Sequence, residues 1–169
     1  FEDYIKCRKM HLVIHIFNND GFFESALKFL KYQNLSIFSW LDFIFKEKLD
    51  GETQKLFEMY EKDTRNELWL NREDGLRYIQ EPGVIDSYID GELGYNLLFV
   101  HKTIALEKFV SSLKELAIIT IQKLLIKNNL ANETNLEFIK EAITFDAYRI
   151  TNLFHDLDSI PSISFHYDI

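Results

Sequence analysis

Apolar residues recur three and four positions apart along most of this chain, the spacing that gathers them on one face of an α-helix. Ile5, Leu12 and Ile16, with Met10, Val13 and Phe17 beside them, predict a helix over residues 3–17 with a broad buried face. Asn18-Asn19-Asp20-Gly21 follows as a turn, its glycine free to take a positive φ. Phe23, Ala26, Leu27 and Leu30 then predict a second helix over 22–32. Ser36 is a suitable N-cap for a third, over 37–48, because its hydroxyl can accept an orphan backbone N–H. That helix carries Phe38, Trp40, Leu41, Phe43, Ile44 and Phe45 and is apolar nearly all round, which predicts a central or interfacial place. Asp50-Gly51 is its expected stop.

Residues 52–72 are more charged. Leu56, Phe57, Tyr60, Leu68 and Trp69 supply one apolar stripe, so an outer helix is expected there, bent or ended by Gly75. Glu81-Pro82-Gly83 is the clearest break in the chain, and 84–90 is short enough for only a brief helix before the loop bracketed by Gly91 and Gly94. Residues 96–128 keep a period near 3.6 without Gly or Pro and read as one long helix. Thr134 with Glu137 matches a capping box ahead of a last helix over 135–156. After Pro161, Ile163, Phe165, Tyr167 and Ile169 alternate as an extended segment that must pair with something else or lie along the helices. The expected fold is all-α: an orthogonal or irregular bundle of about six helices, one domain over 1–169, with an extended C-terminal tail.

Composition supports this reading. Only 6 Gly and 2 Pro occur in 169 residues, too few for the turns of a sandwich or barrel. Fifteen Phe and 8 Tyr predict a core built on rings. The net charge of −8 argues against a nucleic-acid partner, which needs a basic stripe, and against an anionic membrane surface. No apolar run approaches the roughly 20 residues that span a bilayer. With Cys7 the one cysteine, no internal disulfide is possible, and the cytoplasm is the expected compartment. The chain opens on Phe1 rather than Met and closes on an apolar alternation, which predicts a segment of a longer protein whose partners are other domains of the same chain.

Candidate chemistry is sparse. His11 and His15 stand four apart on the first helix and can share a metal, but Leu12 occupies the place of a zinc protease's general base and no third ligand is near, so packing is the expected role. No Glu is followed three residues later by His, which argues against the helical di-iron pattern. Cys7 on an apolar face is expected to be buried filler rather than a nucleophile. No phosphate loop, nucleophile elbow or dinucleotide fingerprint occurs. The polar-aromatic loop with Tyr88, Asp90, Glu92, Tyr95 and Asn96, beside the Pro82-Gly83 break, is the first choice for a surface facing a ligand or another domain.

The stretch from Arg8 to Phe23, a helix with His11 and His15 that ends in the Asn18-Asn19-Asp20-Gly21 turn before a second amphipathic helix, resembles the helical region after the barrel of cobalamin-binding radical SAM proteins. Phe165-His166-Tyr167-Asp168-Ile169 is similar to the aromatic-Tyr-Asp segment near the end of such chains. The resemblance implies a C-terminal accessory domain that packs on a catalytic barrel and shapes substrate access. The 4Fe-4S cluster, S-adenosylmethionine and cobalamin would then belong to other parts of the parent. This chain lacks the family's three-cysteine motif and its Asp-x-His-x-x-Gly pattern, so no catalytic residue carries over. The alternative is a helical interaction or regulatory module without chemistry.

Overall fold

A computed structural model describes residues 1–49, 51–153 and 155–169. Nine α-helices lie among them: α1 (Glu2–Phe17), α2 (Glu24–Tyr32), α3 (Ile37–Lys46), α4 (Gly51–Asn66), α5 (Arg72–Ile79), α6 (Val84–Ile89), α7 (Leu97–Lys108), α8 (Val110–Lys127) and α9 (Glu133–Thr151). The all-α class is as expected. The number of helices exceeds the expectation of about six for two physical reasons.

First, the long helix expected over 96–128 breaks at Phe109 into α7 and α8. Phe109 leaves helical geometry at φ −120°, ψ 10°, and its ring is buried in the core. No Gly or Pro marks the break. Both α7 and α8 keep apolar faces against α4 and α9, and one straight rod would not hold both contacts. Second, the segment expected to run to residue 72 stops at Asn66, and a separate helix, α5, begins at Arg72. Asn71 caps α5 by accepting the Asp74 N–H at 2.9 Å. Gly75 sits inside α5, where an added Cβ would meet the Trp69 ring at 3.4 Å. Its smallness therefore accommodates an indole rather than ending a helix.

The caps show a similar mix. Ser36 accepts the Ser39 N–H at 3.2 Å, as expected. At α9 the cap is Asn132, not Thr134: Asn132 accepts the Asn135 N–H at 2.9 Å, and Asn135 reaches back to the Leu130 carbonyl at 2.8 Å. Asn132 comes first in the chain and closes the helix two residues early, so the expected Thr134–Glu137 box is not used. Asp20 and Gly21 both take positive φ in the turn between α1 and α2. Asp50, the expected stop after α3, lies outside the described residues, as does Phe154 in the expected last turns of α9.

α1 packs on α3, α4 and α7, while α8 packs on α3, α4, α7 and α9. α2 lies against α3 and α9. The buried side chains form one cluster running from Leu12 to Ile150, with Trp40 at its centre. Phe17 meets Trp40 edge-on at 5.8 Å and Phe23 at 4.9 Å. The buried indole N–H of Trp40 donates to the Thr120 hydroxyl at 3.0 Å, and that hydroxyl donates in turn to the Leu116 carbonyl at 2.7 Å. α3 is central through Trp40, Leu41 and Ile44, yet Phe38 on its other face stays exposed.

The tail lies along α9 rather than waiting for a strand. Its alternation seats Phe165 edge-on against Phe145 at 5.5 Å, Tyr167 against Phe138 at 5.4 Å, and Ile169 against the core, while Ser164, His166 and Asp168 face water. The Glu141 carboxylate accepts the backbone N–H groups of His166 and Tyr167 at 2.8 and 3.1 Å.

Candidate functional site

Two places concentrate polar groups or unpartnered surface. The first is a buried seam between α1, α4 and α7. α4 turns Tyr60, Asp63 and Thr64 toward it at helical spacing, the turn after α4 brings Glu67 to its exposed edge, α1 adds Arg8, and α7 adds His101. His101 is only 1% exposed, and its Nε2 lies 2.9 Å from the Asp63 carboxylate. Its ring stands edge-on to Tyr60 at 5.1 Å, and the Arg8 guanidinium covers the other side of the phenol at 5.7 Å. The Tyr60 and Thr64 hydroxyls, Arg8 Nε and His101 Nδ1 are buried without a hydrogen-bond partner. Burial pushes the Tyr60 phenol up, against the pull of Arg8, and pushes the Glu67 carboxyl up as well. The Asp63–His101 contact ties α4 to α7 across this seam. Tyr60, Thr64 and His101 are enclosed there, while Asp63 is part-exposed at its edge.

A surface cleft of about 860 Å³ lies at the α7–α8 break beside the end of α9, between Phe22, Leu106, Val110 and Leu153. Three of its polar groups are engaged, while Glu107, Lys108, Ser111 and His155 also line it. The Lys102 ammonium is held by Asp20 at 2.5 Å, and the Thr103 and Thr151 hydroxyls donate to the carbonyls of Phe99 and Ala147.

The second place is the arm formed by α5 and α6. These helices pack on each other and on no other helix. Between Thr64 and Leu97 no residue is buried. Ile85, Tyr88 and Ile89 share one face of α6 and are 54%, 49% and 76% exposed; Leu76 and Ile79 share a face of α5, each 45% exposed. Trp69 stacks on Tyr78 at 4.7 Å and remains about half exposed. The arm's turns nevertheless have regular geometry. Glu81-Pro82-Gly83-Val84 forms a turn closed by the Val84 N–H to the Glu81 carbonyl at 3.2 Å, with Gly83 at φ 84°, ψ −12°, the type II geometry that favours glycine. α6 ends in a Schellman motif: Gly91 takes a φ of 77°, and the Glu92 N–H returns to the Ser87 carbonyl at 2.9 Å.

The sequence-predicted residues lie on α6 and in the loop that leads from it to α7. Tyr88 is on the exposed face of α6, with its ring over Gly94. Asp90 caps α6, Glu92 accepts the Ser87 hydroxyl at 3.0 Å, and Tyr95 is exposed. Asn96 caps α7 by accepting the Leu98 N–H at 3.0 Å. The sequence reading did not single out Leu76, Ile79, Ile85 and Ile89, which the structure leaves exposed.

His11 is exposed, whereas His15 is half-buried, edge-on to Phe99 at 6.0 Å, with burial and then Lys102 holding its pKa down. Among the described residues, no group of three or more His, Cys, Asp or Glu side chains is arranged for a metal. Cys7 is exposed, not buried as expected, because it projects from the outward side of α1 while Ile5 and Leu12 face in. A single exposed cysteine does not fit a 4Fe-4S cluster, which takes several thiolates. Among the described residues no helix is long and apolar enough to cross a membrane. Compared with family models, curated proteins and solved structures, the chain matches none.

Proposed function

We propose that this chain is a helical interaction module that docks another folded unit through the α5–α6 arm and performs no chemistry of its own. The observation that carries this is the arm itself: a hairpin of helices that contributes no side chain to the core yet turns Leu76, Ile79, Ile85 and Ile89 to water. Contiguous exposed apolar surface on an ordered scaffold is the usual mark of an interaction site. The accessory-domain reading needs the same surface, to face a barrel in the same parent. It rests on the resemblance over Arg8–Phe23, where Leu12, Val13, Ile16 and Phe17 are also accounted for as core. A Cys-x-x-x-Cys-x-x-Cys motif upstream in the parent is what that reading requires.

Photo-crosslinking tests the docking reading. A photoreactive residue replacing Ile89 gives a discrete adduct in cells, and the same residue replacing the exposed Ile126 of α8 gives none. Equal, diffuse labelling from both positions would mean that the arm is ordinary surface.

A further inference from the structure

The charge around the arm narrows what docks there. Residues 68–96 hold six carboxylates, Glu73, Asp74, Glu81, Asp86, Asp90 and Glu92, against the two guanidiniums of Arg72 and Arg77. Arg77 is drawn onto Asp74 within α5. The six-minus-two balance is −4, half of the chain's net −8, confined to 29 residues (68 to 96 inclusive) that also expose Leu76, Ile79, Ile85, Tyr88 and Ile89. An apolar strip within an acidic rim fits an apolar strip within a basic rim. A second copy of this chain would bring acidic rim against acidic rim. Nucleic acid and anionic membranes are repelled for the same reason.

We infer that the occupant of the α5–α6 face is a basic amphipathic helix of another protein, with Lys or Arg flanking a stripe of Leu-like side chains. The Ile85–Tyr88–Ile89 face supplies three contacts at i, i+3 and i+4, the spacing at which a helix lies along another helix. Asp86 on α6 and Asp90 at its C-cap lie within a turn of that face, where both add to the negative field that an incoming cation meets. This inference rests on the docking reading and adds the chemistry of the partner.

Trp69 makes the test direct, because it is about half exposed on the arm, whereas Trp40, the other tryptophan, is sealed in the core. Three helical peptides of about 18 residues, five turns each, are titrated into the 169-residue chain: one with a Leu stripe and Lys flanks, one with a Leu stripe and Glu flanks, and one with the same Lys but Ser in the stripe. Binding is read by peptide anisotropy and by Trp69 emission. The Leu/Lys peptide binds at least about tenfold tighter than either other peptide. The pairs Ile85→Asp with Ile89→Asp, and Asp86→Lys with Asp90→Lys, each remove that preference while circular dichroism stays unchanged. Equal binding of the Leu/Lys and Leu/Glu peptides overturns the basic partner. Equal binding of the Ser/Lys peptide reduces the site to simple charge attraction and also overturns it. A concentration-dependent dimer in sedimentation, dispersed by the isoleucine pair, assigns the face to a second copy instead. Binding to neutral phosphatidylcholine vesicles assigns it to lipid. If Ile89 crosslinks discretely but no preference for the Leu/Lys peptide is found, the docking surface stands and the basic partner falls.

Discussion

Asp146 sits fully buried on α9, where a lone carboxylate would be costly. It is held by the opening turn of another helix. The backbone N–H groups of Ser25 and Ala26 donate to it at 3.1 and 3.2 Å, and the Ser25 hydroxyl donates at 2.8 Å. α2 has no capping side chain of its own, since Phe23 stands at its N-cap, so Asp146 caps it from across the core. Asp146→Ala leaves those donors unmatched and lowers stability by about 2–4 kcal/mol in urea denaturation. Asp146→Asn, which keeps an acceptor oxygen, loses less. Burial raises the Asp146 carboxyl above its ordinary 3.8, outweighing the hydrogen bonds that pull it down. The folded state therefore holds this proton more tightly than the unfolded chain. The group's contribution is greatest below about 3.8 and declines as pH rises through the folded pKa. Stability of the native chain relative to Asp146→Asn thus falls between acid and neutral pH; a flat difference across that range contradicts the raised pKa. A second buried polar pair, Trp40 with Thr120, gives a pH-independent counterpart. Thr120→Val strands the indole N–H and costs about 1–3 kcal/mol, read from unfolding followed by tryptophan emission.

At the scale of elements, periodicity located helices well wherever one face met the core. α1, α2, α3 and α9 lie close to their expected ranges because Leu12, Leu30, Trp40 and Ile139 mark buried stripes at helical spacing. It failed where tertiary packing decides. The break at Phe109 has no local signal, since the sequence through it is as helical as its flanks. α5 escaped notice because Gly75 looks like a stop while serving as a seat for Trp69. The tail's period-two alternation was legible, but its partner, α9, was not. The candidate loop at Tyr88–Asn96 was legible as polar-aromatic punctuation, whereas the apolar face beside it was not, because Ile85 and Ile89 carry no sign of whether a helix will cover them. The arm's isolation has a measurable result. α5 and α6 have no buried residue, so their amide protons exchange orders of magnitude faster than those of α8, which carries Leu113, Ile121 and Leu125 in the core. Comparable protection in both would mean that the arm is packed in solution.

For the molecule as a whole, the ends of the chain are tied back to the body. Arg65 bridges Glu2 and Glu61 through charge-assisted hydrogen bonds at 2.7 and 2.8 Å, fixing the start of α1 to α4. Glu141 holds the tail on α9. Glu141→Ala frees the tail and lowers the melting temperature by roughly 2–4 °C, for a loss near 1 kcal/mol. Calorimetry showing no change would place the tail outside the cooperative unit. The Asp146 clasp also sets a timetable for the nascent chain. Its two ends are 121 residues apart. At about 5–20 residues per second, α2 leaves the ribosome roughly 6–24 seconds before the carboxylate that completes its first turn exists. Through that interval the faces of α2 and α3 that later meet α8 and α9 stay open, and of these nine helices it is α9 that closes the bundle.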